Sequence, residues 1–214
     1  MSEESCPLCR DTSTYFYYED KRRVYCQCKN CFLVFVPPAF HLSRECEKAD
    51  YDKHQNSPDD EGYKTFLKRI YLPMMERLSP NSQGLDFGSG PGPTLSKMFQ
   101  QAGMTVSLYD QYYAVNENAL KTEYDFVTAT EVLEHLRTPA DTLLKVWSCV
   151  KPCGLLGIMT KLVIDKESFK SWHYKNDLTH VAFYSRETFE WLAGEWGARF
   201  SVVAKDAFIF YKQT

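Results

Sequence analysis

No apolar run in these 214 residues approaches the roughly 20 needed to cross a bilayer, which argues against a membrane-spanning helix. Residues 1–9 are acidic and lack the apolar core of a secretory leader, so the chain is expected to stay in the cytoplasm. Positive charge is not in excess: 25 Lys and Arg face 28 Asp and Glu, a formal net charge of -3. That balance argues against gripping nucleic acid through bulk electrostatics, although a local basic groove would still fit it. The glycine-rich stretch at 84–92 is followed by no Gly-Lys-Ser/Thr, so it is not a P-loop. Pro93 stands where a G-x-G-x-x-G dinucleotide fingerprint needs its third glycine, and that site is excluded as well.

Cysteine is not scarce. The chain has eight, and in a reducing compartment clustered thiols point to metal or redox chemistry rather than to disulfides. Cys6-Pro-Leu-Cys9 and Cys28-Lys-Asn-Cys31 form two C-x2-C pairs with eighteen residues between them. Such a spacer lets a tight turn place both sulfurs of a pair on one zinc ion. Tyr15 to Tyr18 and Lys21 to Tyr25 read as two β-rich segments around a Glu19-Asp20 tip, so residues 1–36 are expected to form a zinc-ribbon-like module. Cys26 offers a rival sulfur to Cys28. The module holds five basic and five acidic side chains, a poor phosphate-binding surface, and reads better as a staple or a substrate-side wall. Residues 37–62 are polar and read as a linker or lid, with Tyr51, His54, Asn56, Pro58 and Gly62 in it. Phe66, Ile70, Met74 and Leu78 recur at i, i+4 and predict an amphipathic helix over 63–79, kinked by Pro73.

Gln83 to Phe87 read as a short buried strand, and Gly88, Gly90 and Gly92 then make a turn whose backbone can approach a ligand closely. Pro93 suits the first turn of a helix over 94–101, so strand, turn and helix N-terminus form a nucleotide-type pocket. A second strand, 105–109, ends at Asp110, 22 residues after Gly88, where a carboxylate can accept hydrogen bonds from ribose hydroxyls.

The stretch LDFGSGPG resembles the first motif of the class I S-adenosylmethionine-dependent methyltransferases. Asp125 to Leu136, with Glu131-Val-Leu-Glu134-His135, resembles that family's fourth-strand motif. Residues 151–160 resemble its L-x-P-G-G turn and fifth strand, with Cys153 in place of the first glycine, and 200–204 with 207–211 resemble its last, antiparallel pair. The resemblance covers 63–214 and implies an α/β fold with a Rossmann-like, mostly parallel sheet and an antiparallel last strand. It also implies methyl transfer from S-adenosylmethionine held by Asp86, Gly88, Gly90, Gly92, Tyr109, Asp110, Thr130, Glu131 and Val132. Only thirteen residues, 111–123, separate Asp110 from the next strand, too few for a βα unit, so the third strand is expected to be reduced or missing. Tyr112, Tyr113 and Asn116 would then wall the adenine.

After the fifth strand, W-H-Y-x-x-D-x-T-H-x-x-F-Y-S concentrates aromatic and titratable groups in a loop, which describes a ligand pocket. His180 and His173 are the candidate general bases, with Tyr184 beside them, and each has an ordinary structural reading too. The N/D-P-P-F/Y motif of many amine-directed enzymes of this family is absent, so base-amine methylation is disfavoured. A small metabolite or sugar is the favoured acceptor. An RNA-modifying enzyme that uses the zinc module for binding, and a non-catalytic binding module, are the alternatives. No membrane partner is expected, and the residues do not fix an oligomeric state.

Overall fold

Alternation along the strands decides the architecture. The computed structural model describes residues 4–53 and 60–214. In chain order the elements are β1 (Thr14–Glu19), β2 (Val24–Cys28), β3 (Val34–Phe35), α1 (Arg44–Tyr51) and α2 (Glu61–Met75). Then come β4 (Gln83–Phe87), α3 (Thr94–Gln101), β5 (Thr105–Tyr109), β6 (Tyr124–Thr130), α4 (Pro139–Ser148) and β7 (Val150–Met159). The chain closes with α5 (Lys166–Ser171), β8 (Ala182–Phe183), α6 (Arg186–Glu195), β9 (Arg199–Ala204) and β10 (Ala207–Tyr211).

Six strands form one sheet in the order β5-β4-β6-β7-β10-β9; the first four are parallel and β10 is antiparallel to both of its neighbours. Successive side chains of a strand face opposite ways, and both faces here are buried. Phe126 and Ile209 pack with Ile70 and Phe99 of α2 and α3. Val127, Phe208 and Phe210 pack with Val146 of α4 and Phe189 of α6 on the other face. Among the described residues no strand lies between β5 and β6, and a 3-10 turn at Ala119–Lys121 takes the place of the missing unit. No described helix is long and apolar enough to cross a membrane.

A second sheet, β1-β2-β3-β8, joins the N-terminal hairpin to the main domain. Val34 pairs with Phe183 and Phe35 with Ala182. Cys6, Leu8, Cys28, Cys31 and Leu33 belong to the same buried cluster as Leu133, Leu143 and Tyr184. The hairpin module and the large sheet therefore share a core.

Several boundaries differ from those read in the sequence. Lys21 to Arg23 belong to the hairpin tip, and β2 starts at Val24. Helix α2 starts at Glu61, capped by Asp60, and runs through Pro73 only to Met75. Part of the 37–62 stretch is helical: Ser43 caps α1 by accepting from the Cys46 N–H at 3.2 Å. His54, Asn56 and Pro58 lie outside the described residues.

Cys153 has φ 62°, a left-handed backbone that costs a residue with a Cβ roughly 1–2 kcal/mol. Glycine removes that strain but loses about 0.5–1 kcal/mol through its freer unfolded chain. Cys153→Gly is therefore expected to stabilise the fold by about 0.5–1 kcal/mol and raise Tm by about 1–4 °C. Thermal unfolding of both proteins checks this, and Cys153→Ala should give no gain.

Candidate active site

The glycine turn after β4 works through its backbone. Gly88 and Gly90 have φ 75° and 62°. The Gly88 N–H donates to the Tyr109 carbonyl at 2.7 Å, and the Gly90 N–H donates to Asp110 Oδ2 at 3.0 Å. Asp110 Oδ1 also accepts from the N–H groups of Tyr112 (2.8 Å) and Tyr113 (3.0 Å). One buried carboxylate thus organises two loops at the ends of β4 and β5. Asp86 lies deeper: it accepts from Ser96 Oγ at 2.6 Å and Thr128 Oγ1 at 2.9 Å, tying β4 to α3 and β6. Burial pushes its pKa up against those two hydrogen bonds.

The turn opens onto a cavity of about 630 Å³. Its walls include Gly88 and Gly90, Tyr109 to Tyr113, the 130–138 loop, Tyr51 and Glu47 of α1, and His180. This size falls within the roughly 300–1,000 Å³ of small-molecule sites. Tyr51 sets its ring against His135 (5.1 Å) and Tyr112 (5.7 Å). Glu47 accepts from Arg137 Nη2 at 2.6 Å, which fastens α1 over the cavity mouth.

At the end of β6, Glu131 has φ 53°, an unusual conformation for a non-glycine residue. Burial pushes its carboxyl up, with the neighbouring Glu134 adding to the effect. Burial also raises Glu134, which accepts from Thr160 Oγ1 at 3.0 Å and from the Tyr174 hydroxyl. His180 is 7% exposed, and its Nδ1 lies 2.8 Å from the Tyr174 carbonyl. Burial lowers its pKa to about 4, so the imidazole is neutral at pH 7 and is a weak base.

The segment 173–183, which carries Tyr174 and His180, is held from the hairpin side. Arg23 is 2% exposed. It donates to the carbonyls of Lys175 (2.6 Å), Asp177 (2.8 Å) and Leu178 (3.1 Å), and to the Tyr25 hydroxyl (3.0 Å). Val36 N–H donates to the Val181 carbonyl at 2.9 Å. The hairpin thus backs one wall of the cavity.

Of the residues singled out in the sequence, Gly88, Gly90, Tyr109, Asp110, Thr130, Glu131, Val132 and His180 meet at this cavity, and Tyr112 and Tyr113 wall it. Asp86 and Gly92 are not in its lining. His173 is exposed, with its Nε2 3.0 Å from Lys161 Nζ. Tyr184 is fully buried against Phe189, and its hydroxyl donates to the Leu133 carbonyl at 3.3 Å. Neither reaches the cavity. Tyr51, Glu47, Tyr63 and Arg137 line it without having been singled out as site residues. The i, i+4 pair Glu47 and Tyr51 behind a serine cap was the available signal.

The four sulfurs of Cys6, Cys9, Cys28 and Cys31 lie within 4.8 Å of one another, with Cys6–Cys31 and Cys9–Cys28 contacts of 3.4 Å. Cys26 is not in the group, and Cys28 is. Zn–S bonds of about 2.3 Å in a tetrahedron put sulfurs roughly 3.8 Å apart, so the donor set and its spacing fit zinc.

A methyl added at Gly88 would lie 2.3 Å from Val132 Cγ2, whereas at Gly90 nothing lies within 4 Å. Gly88→Ala is therefore expected to destabilise the protein by about 3 kcal/mol, combining overpacking and backbone strain. Gly90→Ala should cost the free protein only about 1 kcal/mol yet weaken nucleotide binding, because its Cβ occupies the open cavity. Urea unfolding and ligand calorimetry separate the two.

The family model described as a methyltransferase domain matches residues 60–203. No curated protein matches the chain. Among solved structures, the chain is similar to the 1,6-didemethyltoxoflavin-N1-methyltransferase of Burkholderia thailandensis, which holds 1,6-didemethyltoxoflavin and S-adenosylhomocysteine. The identity is 12% and the TM-score 0.52, over 93% of this chain and 99% of that one. It is also similar to human N-acetylserotonin methyltransferase in complex with S-adenosylmethionine, at 16% identity and a TM-score of 0.53. That match takes in 79% of this chain and 55% of the human one. A methyltransferase of Archaeoglobus fulgidus that depends on S-adenosylmethionine matches at 15% identity and a TM-score of 0.50, over 70% of this chain and 99% of that one. At these identities the likeness is one of fold.

Proposed function

The chain belongs to the methyltransferase-domain family, and on that premise we propose that it transfers the sulfonium methyl of S-adenosylmethionine to a small-molecule acceptor in the 630 Å³ cavity. The observation that carries this reading is the convergence on that cavity of the glycine turn, Asp110 and the end of β6. Asp110 would take the ribose hydroxyls, the Gly88 to Gly90 turn the methionine part, and Tyr112 and Tyr113 the adenine, in place of the missing third-strand unit. Thr130, Glu131 and Val132 would face the methyl. Two of the similar proteins act on, or hold, small aromatic molecules by their names, which agrees with an aromatic-walled acceptor site here.

Attack on a sulfonium methyl is an in-line displacement, so holding the acceptor in line supplies much of the rate. His180 is the base candidate within reach of the cavity. Its neutral form can accept a proton, but its low pKa makes positioning the larger contribution. Zinc on Cys6, Cys9, Cys28 and Cys31 would lock the N-terminal hairpin as a staple for the 173–183 wall, with α1 of the linker beside the cavity and 63–214 as the catalytic domain.

Calorimetry with S-adenosylmethionine and S-adenosylhomocysteine, against NAD and ATP as controls, tests the reading. Micromolar binding of the first two alone supports it; no heat from folded protein overturns it. A salt-dependent gel shift with RNA would move the acceptor to nucleic acid.

A further inference from the structure

The four clustered cysteines do not share one environment. Cys6, Cys28 and Cys31 are buried, whereas Cys9 is only half-buried. Their sulfurs also meet between the two C-x2-C turns rather than within them: Cys9 stands 3.4 Å from Cys28, and Cys6 stands 3.4 Å from Cys31. One pair is thus open to a small solute through Cys9, while both members of the other lie in the shared core. The Asn30 N–H donates to Cys28 Sγ at 3.4 Å, a bond that favours the thiolate of the inner partner.

The cluster reaches two walls of the cavity. Within the first turn, the Pro7 carbonyl accepts from the Ala140 N–H of α4 at 3.2 Å, directly after the 130–138 loop. Cys28 closes β2, whose Cys26 pairs with Phe35 of β3, and Phe35 pairs in turn with Ala182 of β8. Cys28 and Cys31 belong to one buried cluster with Leu133 and Tyr184. Whatever loosens the cysteines therefore loosens the acceptor side of the cavity.

We propose that Cys9 and Cys28 are a site of reversible oxidation by a peroxide, which frees the zinc and releases that wall. The proposal rests on the zinc reading for the thiolate state of the pair, since zinc holds its cysteines in the reactive, deprotonated form. The Cys9 thiolate attacks one peroxide oxygen: an S–O bond forms, the O–O bond breaks, and the departing oxygen takes up a proton and leaves as water. The Cys28 thiolate then attacks the Cys9 sulfur. An S–S bond forms, the S–O bond breaks, and a second proton carries that oxygen away as water. Two electrons pass from the two sulfurs to one peroxide. A thiol reductant reverses the step by exchange. Cys6 and Cys31 alone supply half of a tetrahedral zinc site, so the ion leaves.

Hydrogen peroxide is the probe, added to the zinc-loaded full chain without cofactor or acceptor, with a metallochromic indicator reporting freed zinc. One zinc ion is expected per disulfide formed. Peptide mass mapping should find Cys9 linked to Cys28, with Cys6 and Cys31 reduced. Amide hydrogen exchange should rise across 130–138 and 173–183 and stay unchanged across 84–92, and a thiol reductant with added zinc should reverse it. Cys9→Asp keeps an oxygen ligand for zinc but removes the sulfur, so release should slow about tenfold or more. Cys26→Ser, on the same face of β2 as Cys28 but outside the cluster, should release zinc as wild type does. If Cys9→Asp holds no zinc, the wild-type peptide map decides alone. A disulfide through Cys26 or between Cys6 and Cys31, release from Cys9→Asp at the wild-type rate, or oxidation confined to the exposed Cys46 and Cys153 with zinc retained overturns the proposal. Zinc is counted before peroxide is added. A folded chain that binds none ends the zinc reading, while the peptide map still tests the pair.

Discussion

Asp110→Ala is expected to weaken S-adenosylmethionine binding by roughly two to three powers of ten in Kd, measured by calorimetry on folded protein. The carboxylate already holds the Gly90, Tyr112 and Tyr113 N–H groups, so it sets the shape of the site as well as the proposed ribose contact. A hydrogen bond to a charged acceptor contributes about 1.5–3 kcal/mol, so losing two to the ribose removes at least about 3 kcal/mol, or two powers of ten. The three orphaned N–H groups add a stability loss that urea unfolding will show. Asp110→Asn separates the effects. Its amide keeps one acceptor for the Tyr112 and Tyr113 N–H groups but turns a donor toward Gly90 or the ribose, so the fold should recover more than the affinity does. If Asp110→Ala binds the cofactor as tightly as wild type, Asp110 only organises the loops and the ribose is held elsewhere.

What the residues disclosed in advance was local. Three glycines at alternate positions, an acid at the next strand end and two C-x2-C pairs were each readable locally, and the structure brings Gly88, Gly90 and Asp110 to one cavity, without Gly92, and the four cysteines to one cluster. The shortness of 111–123 likewise announced the missing strand before β6. Long-range unions were hidden. Strands β3 and β8 have two residues each, too few to show a period of two, and nothing in Val34-Phe35 names Ala182-Phe183 as its partner. Arg23 sits in a Lys-Arg-Arg run within the Lys21–Tyr25 segment read as β-rich, where nothing sets it apart from its basic neighbours. Lys21 and Arg22 are exposed, and only the position of 175–178 makes Arg23 a buried clamp. Helix α1 was missed because RECEKADY is polar. Tyr51 against His135 and Tyr112, the Glu47–Arg137 pair across 90 residues and the Tyr113 hydroxyl on Asp52 hold it in place. His173 and Tyr184 looked like His180 in sequence, since a loop motif gives no direction to its side chains.

The other large effect concerns that clamp. Replacing Arg23 with Met is expected to reduce methyl transfer by about 100-fold or more while cofactor affinity stays nearly unchanged, and stripping the proposed zinc from the cysteine cluster should reduce transfer at least as much. The reasoning starts from the carbonyls of Lys175, Asp177 and Leu178, which Arg23 satisfies. Each buried carbonyl left unpaired costs about 1–3 kcal/mol, enough to favour a local shift of 175–178, which lies between the Tyr174 and Val181 anchors and keeps the Arg22 bonds to Asn176 from the hairpin. The 173–183 segment carries Asp177 and His180 into the cavity wall, and a displacement near 1 Å can remove two powers of ten in rate. The glycine turn and Asp110 hang on β4 and β5 of the other sheet, to which Arg23 donates no hydrogen bond, so Arg23→Met should leave them in place. Metal removal should act more broadly, since Cys6, Cys28 and Cys31 are part of the shared core, and it should lower Tm along with activity. Arg23→Met leaves the cysteines in place, so it isolates the clamp. Steady-state kinetics at saturating cofactor, together with calorimetry, make the comparison. Equal losses of cofactor binding and turnover would assign the hairpin to global stability, whereas loss of RNA binding alone would assign it to an RNA-binding role.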